Sequence, residues 1–172
     1  VNLPRRMRDE HLLFTQIEVQ AVPSRDVRQI VYMQDATEAG IGQGYPEYIQ
    51  IPDYSGSELM LSDLALGQPG GQFGWRRGEA TLALLPTRQF PSREFEVYYE
   101  IYNLPAGNRY TTEVTVERLE KDSDRREEGR EPISLRFTGV SASSDDGTLP
   151  ELRRFGTSLD KGRYRITVAI ED

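Results

Sequence analysis

Alternation of apolar and polar side chains runs longest over residues 95–104, F-E-V-Y-Y-E-I-Y-N-L. Phe95, Val97, Tyr99 and Ile101 project to one side, and Glu96, Tyr98, Glu100 and Tyr102 to the other, the period of a strand with one buried and one wet face. This predicts a central strand. Turn chemistry follows at 104–108 (L-P-A-G-N), and Tyr110, Thr112, Val114 and Val116 then alternate against Thr111, Glu113, Thr115 and Glu117, so the two segments read as a hairpin.

The same period recurs on both sides of this pair. Leu13, Ile17 and Val19 alternate from His11 up to Val22, residues 27–34 (V-R-Q-I-V-Y-M-Q) form a second strand, and residues 35–44, with three glycines, read as a loop. Residues 47–51 are a short third strand closed by Pro52. Residues 57–67 (S-E-L-M-L-S-D-L-A-L-G) fit a strand with a kink at Ser62-Asp63, and residues 67–78 a glycine-rich loop. Residues 80–85 form a further strand ended by Pro86. Beyond the central pair, 117–131 holds five basic and seven acidic residues, too polar to bury itself, and reads as a mobile, solvated loop. Ile133, Leu135 and Phe137 restore alternation, 141–147 is a turn, 149–159 returns the chain, and Tyr164, Ile166, Val168 and Ile170 line the last strand.

About eight or nine strands at this spacing, without an amphipathic helix, predict an antiparallel immunoglobulin-like β-sandwich. Residues 1–10 are set apart as an extended arm or linker, and 11–172 as the sandwich domain. The approach L-D-K-G-R-Y-R-I (159–166) has the form of a tyrosine corner, in which the Tyr164 hydroxyl bonds upstream backbone. The chain ends two residues after this strand, where an immunoglobulin-like sheet adds one more, and it opens on Val1 instead of methionine. A further strand, and an upstream signal, anchor or domain, are therefore allowed for.

Composition removes several classes of function. With no cysteine there is no thiol chemistry, no disulfide and no cysteine-ligated zinc, and a net charge of −7 disfavours nucleic acid as a partner. All but Lys121 and Lys161 of the 21 basic residues are arginine, suited to bidentate contacts, though a GC-rich genome gives the same bias. No run approaches the ~20 apolar residues of a membrane span. His11 is the only histidine, which leaves no His-based triad within one chain.

The remaining motifs are weak as chemistry. Glu96 and Glu100 lie about 13 Å apart by strand rise, beyond the usual separation of glycosidase carboxylates, and a wet sheet face accounts for them. Asp145-Asp146-Gly147 lacks the alternating ligands of a calcium loop. The glycine-rich loop has neither the helix nor the lysine of a phosphate cradle. It does carry Phe73, Trp75, Arg76 and Arg77, a pairing enriched at binding hot spots; alternatively Trp75 folds back over the sandwich as a lid. Arg5, Arg6 and Arg8 on the arm, and Tyr98 and Tyr102 with Tyr45, Tyr48 and Tyr54, complete the candidate partner-binding residues. No catalytic, cofactor or metal residues are assigned.

Residues 57–66 (S-E-L-M-L-S-D-L-A-L), 95–104 and 159–172 (L-D-K-G-R-Y-R-I-T-V-A-I-E-D) together resemble the C-terminal β-sandwich region of bacterial GWxTD-domain envelope proteins, from about Ser57 onward. The signature itself is absent, Gly74-Trp75-Arg76-Arg77 matching only its first two positions. The resemblance implies a non-catalytic, exported structural protein on the periplasmic side of a bacterial membrane. Its expected partners are other proteins, a membrane-embedded complex first among them, for instance a photosynthetic reaction centre with its light-harvesting antenna. A carbohydrate-binding module using Trp75 and the tyrosines as stacking platforms is the second reading.

Overall fold

A computed structural model describes residues 19–34, 37–38, 40, 42–69, 75–84, 94–141, 147–156 and 159–172. The chain divides into two compact units, Val1–Ser55 and Gly56–Asp172. The expected arm at 1–10 lies outside the described residues, as does His11–Glu18 of the expected first strand, and residues 19–23 are irregular.

In the first unit, β1 (Ser24–Gln34) and β2 (Gly42–Ile51) form an antiparallel ribbon, with Val27 opposite Ile49, Val31 opposite Tyr45 and Gln34 opposite Gly42. Two expectations change here. The strand expected at 47–51 begins at Gly42, because the Tyr32 ring lies over Gly42 and Gly44 in space that a side chain at Gly42 would collide with. Among the described residues β1 and β2 pair only with each other, so they form a separate two-stranded sheet and not two strands of the sandwich.

The second unit is an antiparallel β-sandwich. It comprises β3 (Met60–Leu61), β4 (Ala65–Pro69), β5 (Trp75–Arg77), β6 (Ala80–Leu84), β7 (Glu94–Tyr102), β8 (Arg109–Leu119), β9 (Ile133–Val140), β10 (Thr148–Gly156) and β11 (Arg163–Glu171). The larger sheet has the order β10-β7-β4-β6-β5, with β3 also on β7, and the smaller has the order β11-β8-β9. Between them lie Phe95, Val97, Tyr99 and Ile101 of β7, Tyr110 and Val114 of β8, Leu104 and Phe155. Phe95 and Phe155 are cross-strand neighbours with stacked rings 5.1 Å apart.

The hairpin expected of β7 and β8 does not form. β7 pairs with β10, β3 and β4, and β8 with β11 and β9, so residues 103–108 carry the chain across the core from one sheet to the other. Asn103 (φ 65°) and Gly107 (φ 81°) take left-handed backbone conformations at this crossing, and Gly107 N–H donates to the Ser141 carbonyl at 3.1 Å, which ties it to the end of β9. The reason is burial. Side by side, the two strands would present both apolar faces to one side; across the sandwich, each covers the other.

The kink expected near Ser62 separates β3 from β4. Ser62 N–H donates to the Glu100 carbonyl at 2.9 Å, and the Ser62 hydroxyl accepts from Glu100 N–H at 2.8 Å, replacing a lost ladder bond with a side chain. The charged segment after β8 is not a free loop. Glu127 N–H donates to the Arg118 carbonyl at 2.9 Å, and the Arg118 and Arg163 side chains pair with Glu127 at 2.8 Å and Asp124 at 2.9 Å, so its charges are matched by arginines at strand ends. The tyrosine corner is present, the Tyr164 hydroxyl donating to the Asp160 carbonyl at 2.9 Å.

Candidate functional site

The outer face of the larger sheet gathers residues from two distant segments. β7 supplies Glu96, Tyr98, Glu100 and Tyr102. On β5 and β6, Trp75 stands opposite Leu82 and Arg77 opposite Ala80, which puts Trp75 and Arg77 on this same face. Sequence alternation assigns the face correctly but not its character. Glu96 and Glu100 are 4% and 6% exposed, so the wet face expected around them is a buried one.

Glu100 is the hub. Its Oε1 accepts from Arg77 Nε at 2.7 Å and the Tyr98 hydroxyl at 2.7 Å; its Oε2 accepts from Arg77 Nη2 at 3.1 Å and the Tyr102 hydroxyl. Burial pushes this carboxyl upward, but the bonds from Arg77, Tyr102 and Tyr98 and the charge of Arg77 outweigh it and hold the group below its ordinary value. Arg77 is raised by its bond to Glu100, and Tyr98 is raised by burial and then by donating to Glu100. A carboxylate with both oxygens doubly engaged has no lone pair left for a substrate proton, so the cluster braces the sheet and is not built as a catalytic base. Glu96 pairs with Arg154 through Oε1 alone, at 3.0 Å from Nε and 2.9 Å from Nη2.

Trp75 meets Tyr98 edge to face, the ring centroids 5.0 Å apart at 69°. Tyr98 is buried, and Trp75 is half-buried beside Leu82, Ala80 and Ala65. This is the lid arrangement, and it provides no pair of coplanar exposed rings for a sugar to stack on. Arg76 lies exposed on the opposite side of β5, facing Thr81. The structure thus unites Trp75, Arg77, Tyr98 and Tyr102, separates Arg76 from them, and places Arg5, Arg6, Arg8 and Phe73 outside the described residues.

A second polar cluster lies between the sheets. Tyr110 donates to Glu151, which also pairs with Arg153, and the Arg153 guanidinium sits 4.6 Å from the centre of the Phe137 ring. Burial and then the bond to Glu151 push the Tyr110 hydroxyl up to about 12. The buried Tyr99 hydroxyl and Thr112 Oγ1 have no hydrogen-bond partner. Among the described residues no group of three or more His, Cys, Asp or Glu side chains converges to hold a metal ion.

Exposed apolar surface is concentrated instead on the ribbon of the first unit. On one face Ile30 (56% exposed), Tyr32 (64%) and Tyr48 (75%) lie with Pro46; on the other, Val31 stands opposite Tyr45 and Met33 follows. Tyr45 and Tyr48 are among the tyrosines named from sequence. Ile30, Tyr32 and Met33 were not, although the run I-V-Y-M without a charge is the signal that marks them. No family model, no curated protein and no solved structure matches the chain.

Proposed function

We propose that the protein is a non-catalytic protein-binding module in which the sandwich is the scaffold and the β1–β2 ribbon is the contact element. One observation carries this reading: a two-stranded ribbon bears exposed apolar side chains on both faces. An isolated hairpin is marginally stable in water, and exposed apolar patches of this kind mark interaction surfaces. Covering four half-exposed apolar side chains contributes on the order of 4 kcal/mol before the cost of association.

On the strength of the tyrosine corner we class the sandwich as immunoglobulin-like. The resemblance to envelope proteins extends the proposal to the periplasmic side of a bacterial membrane, with a membrane-embedded complex as the partner. Ile30→Ser, Tyr32→Ser and Tyr48→Ser together change one ribbon face and leave the sandwich untouched. Native co-purification with the triple variant is expected to lose the proteins that accompany the unaltered chain; retention of the same set would refute the assignment.

A further inference from the structure

Seven strands have an unpaired side among the described residues: β10, β5 and the two-residue β3 of the larger sheet, β9 and β11 of the smaller, and β1 and β2 of the ribbon. Exposed strand edges invite pairing with other chains, and proteins blunt them with proline and charge. β3 is only two residues long, and five of the other edges are blunted with proline or charge. β10 carries Pro150, Arg153 and Arg154; β5 carries Arg76 and Arg77; β9 carries Arg136; β11 carries Arg163 and Arg165; and β2 carries Pro46 and Glu47. β1 differs. Its charges, Arg25, Asp26 and Arg28, are confined to its first half, and Gln29–Gln34 has neither proline nor a charged side chain.

We propose that this unguarded edge pairs with β1 of a second copy of the chain, in an antiparallel register centred on Ile30. The inference rests on the reading of the ribbon as a contact element and names one occupant for its edge. A two-fold axis at Ile30 joins the ribbons into a four-stranded sheet of order β2-β1-β1-β2, above the three strands that independent stability requires. Opposite residues share a face, so the register sets Ile30 against Ile30, Gln29 against Val31, Val27 against Met33 and Arg28 against the Tyr32 ring of the other copy.

Charge does not oppose a like partner at this edge. The chain carries a net charge of −7, so two copies repel through most of their surface, whereas the charged residues of the two paired strands, Arg25, Asp26, Arg28 and Glu47, sum to zero. Pro46, opposite Ile30, has no N–H to offer β1. That suits a non-hydrogen-bonded position of the ladder, which turns the Ile30 and Tyr32 N–H groups toward the open edge.

The chain has no cysteine, so a single introduced one reports unambiguously. In the proposed register the Ile30 Cα atoms stand about 5.5 Å apart, within disulfide reach. Glu47 on β2 lies three strand spacings across and two residues along from its counterpart, roughly 16 Å. Ile30→Cys is expected to form a disulfide-linked dimer under mild oxidation at least about tenfold faster than Glu47→Cys. Sedimentation of the unaltered chain is expected to show a reversible dimer, which Gln29→Glu with Val31→Glu, placing carboxylates opposite one another on exposed positions, weakens at least about tenfold. Equal crosslinking rates, or a monomer at every concentration, would overturn the pairing. A monomer whose ribbon still retains other proteins in the triple-serine comparison overturns the pairing alone; a monomer that retains none overturns both.

Discussion

Removing the Arg77 guanidinium leaves the Glu100 carboxylate buried with only its two tyrosine donors. Breaking a buried pair from one side costs about 3–5 kcal/mol, but the Arg77 side chain is 53% exposed and water screens part of the loss. Arg77→Met is therefore expected to destabilise the sandwich by about 1–3 kcal/mol, and Glu100→Gln, which keeps the shape and leaves Arg77 without its acceptor charge, by a similar amount. Each loss lowers the urea midpoint by about 1 M at ordinary m-values. The double variant should lose less than the sum, since the second change removes a partner already unmatched.

The pH dependence follows from the sign of the shift. The folded-state pKa of Glu100 is depressed, so its contribution is complete above the ordinary carboxylate value of 4.5 and is lost as pH falls through the lower folded value. The stability gap between the unaltered chain and Glu100→Gln is thus expected to narrow as pH is lowered from 7 through the carboxylate range. Strictly additive losses in urea titrations, or a gap independent of pH, would refute the role of Glu100 as an ionised brace.

Other outcomes follow from single contacts. Tyr164→Phe deletes the bond to the Asp160 carbonyl and is expected to cost about 0.5–1.5 kcal/mol by urea titration, with no change in the circular dichroism of the folded state. At Gly139 an added Cβ would sit 2.6 Å from the Tyr110 ring, so Gly139→Ala is expected to displace that ring from Glu151 and cost about 1–3 kcal/mol by the same assay. In a spectrophotometric titration at alkaline pH, Tyr98 and Tyr110 are expected to ionise above the ordinary tyrosine value of 10. Tyr110, raised from 10 to about 12, contributes stability that is complete below pH 10 and is lost as pH rises through about 12. A chain beginning at Gly56 is expected to fold cooperatively on its own, with the near-ultraviolet spectrum of the sandwich retained.

Strands were legible in the sequence wherever one face is apolar. β7, β8 and β11 fall where alternation put them, and the corner at Tyr164 is legible in the local spacing of residues 159–166. Pairing was not legible for β7 and β8. Alternation says which way a side chain points but not which strand lies beside it, and residues 103–108 suit a turn within a sheet as well as a passage between two. Glu100 was misread for a related reason. An outward carboxylate is normally wet, and here the group that covers it is Arg77, 23 residues upstream on a strand three places away in the sheet. The ribbon shows the converse. Val31 and Met33 look like core residues in one dimension, and only their exposure, 42% and 55%, shows them as surface.

Photo-crosslinking from within the ribbon, in extracts of the cells that make the protein, tests the division of labour between sandwich and ribbon most directly. A benzophenone side chain at Tyr32 or Tyr48 is expected to capture defined proteins, a second copy included. The same group at Thr115, on the polar outer face of the smaller sheet, should capture none above background. Capture from Thr115 equal to that from Tyr32 and Tyr48, or none from either ribbon position, would contradict the account.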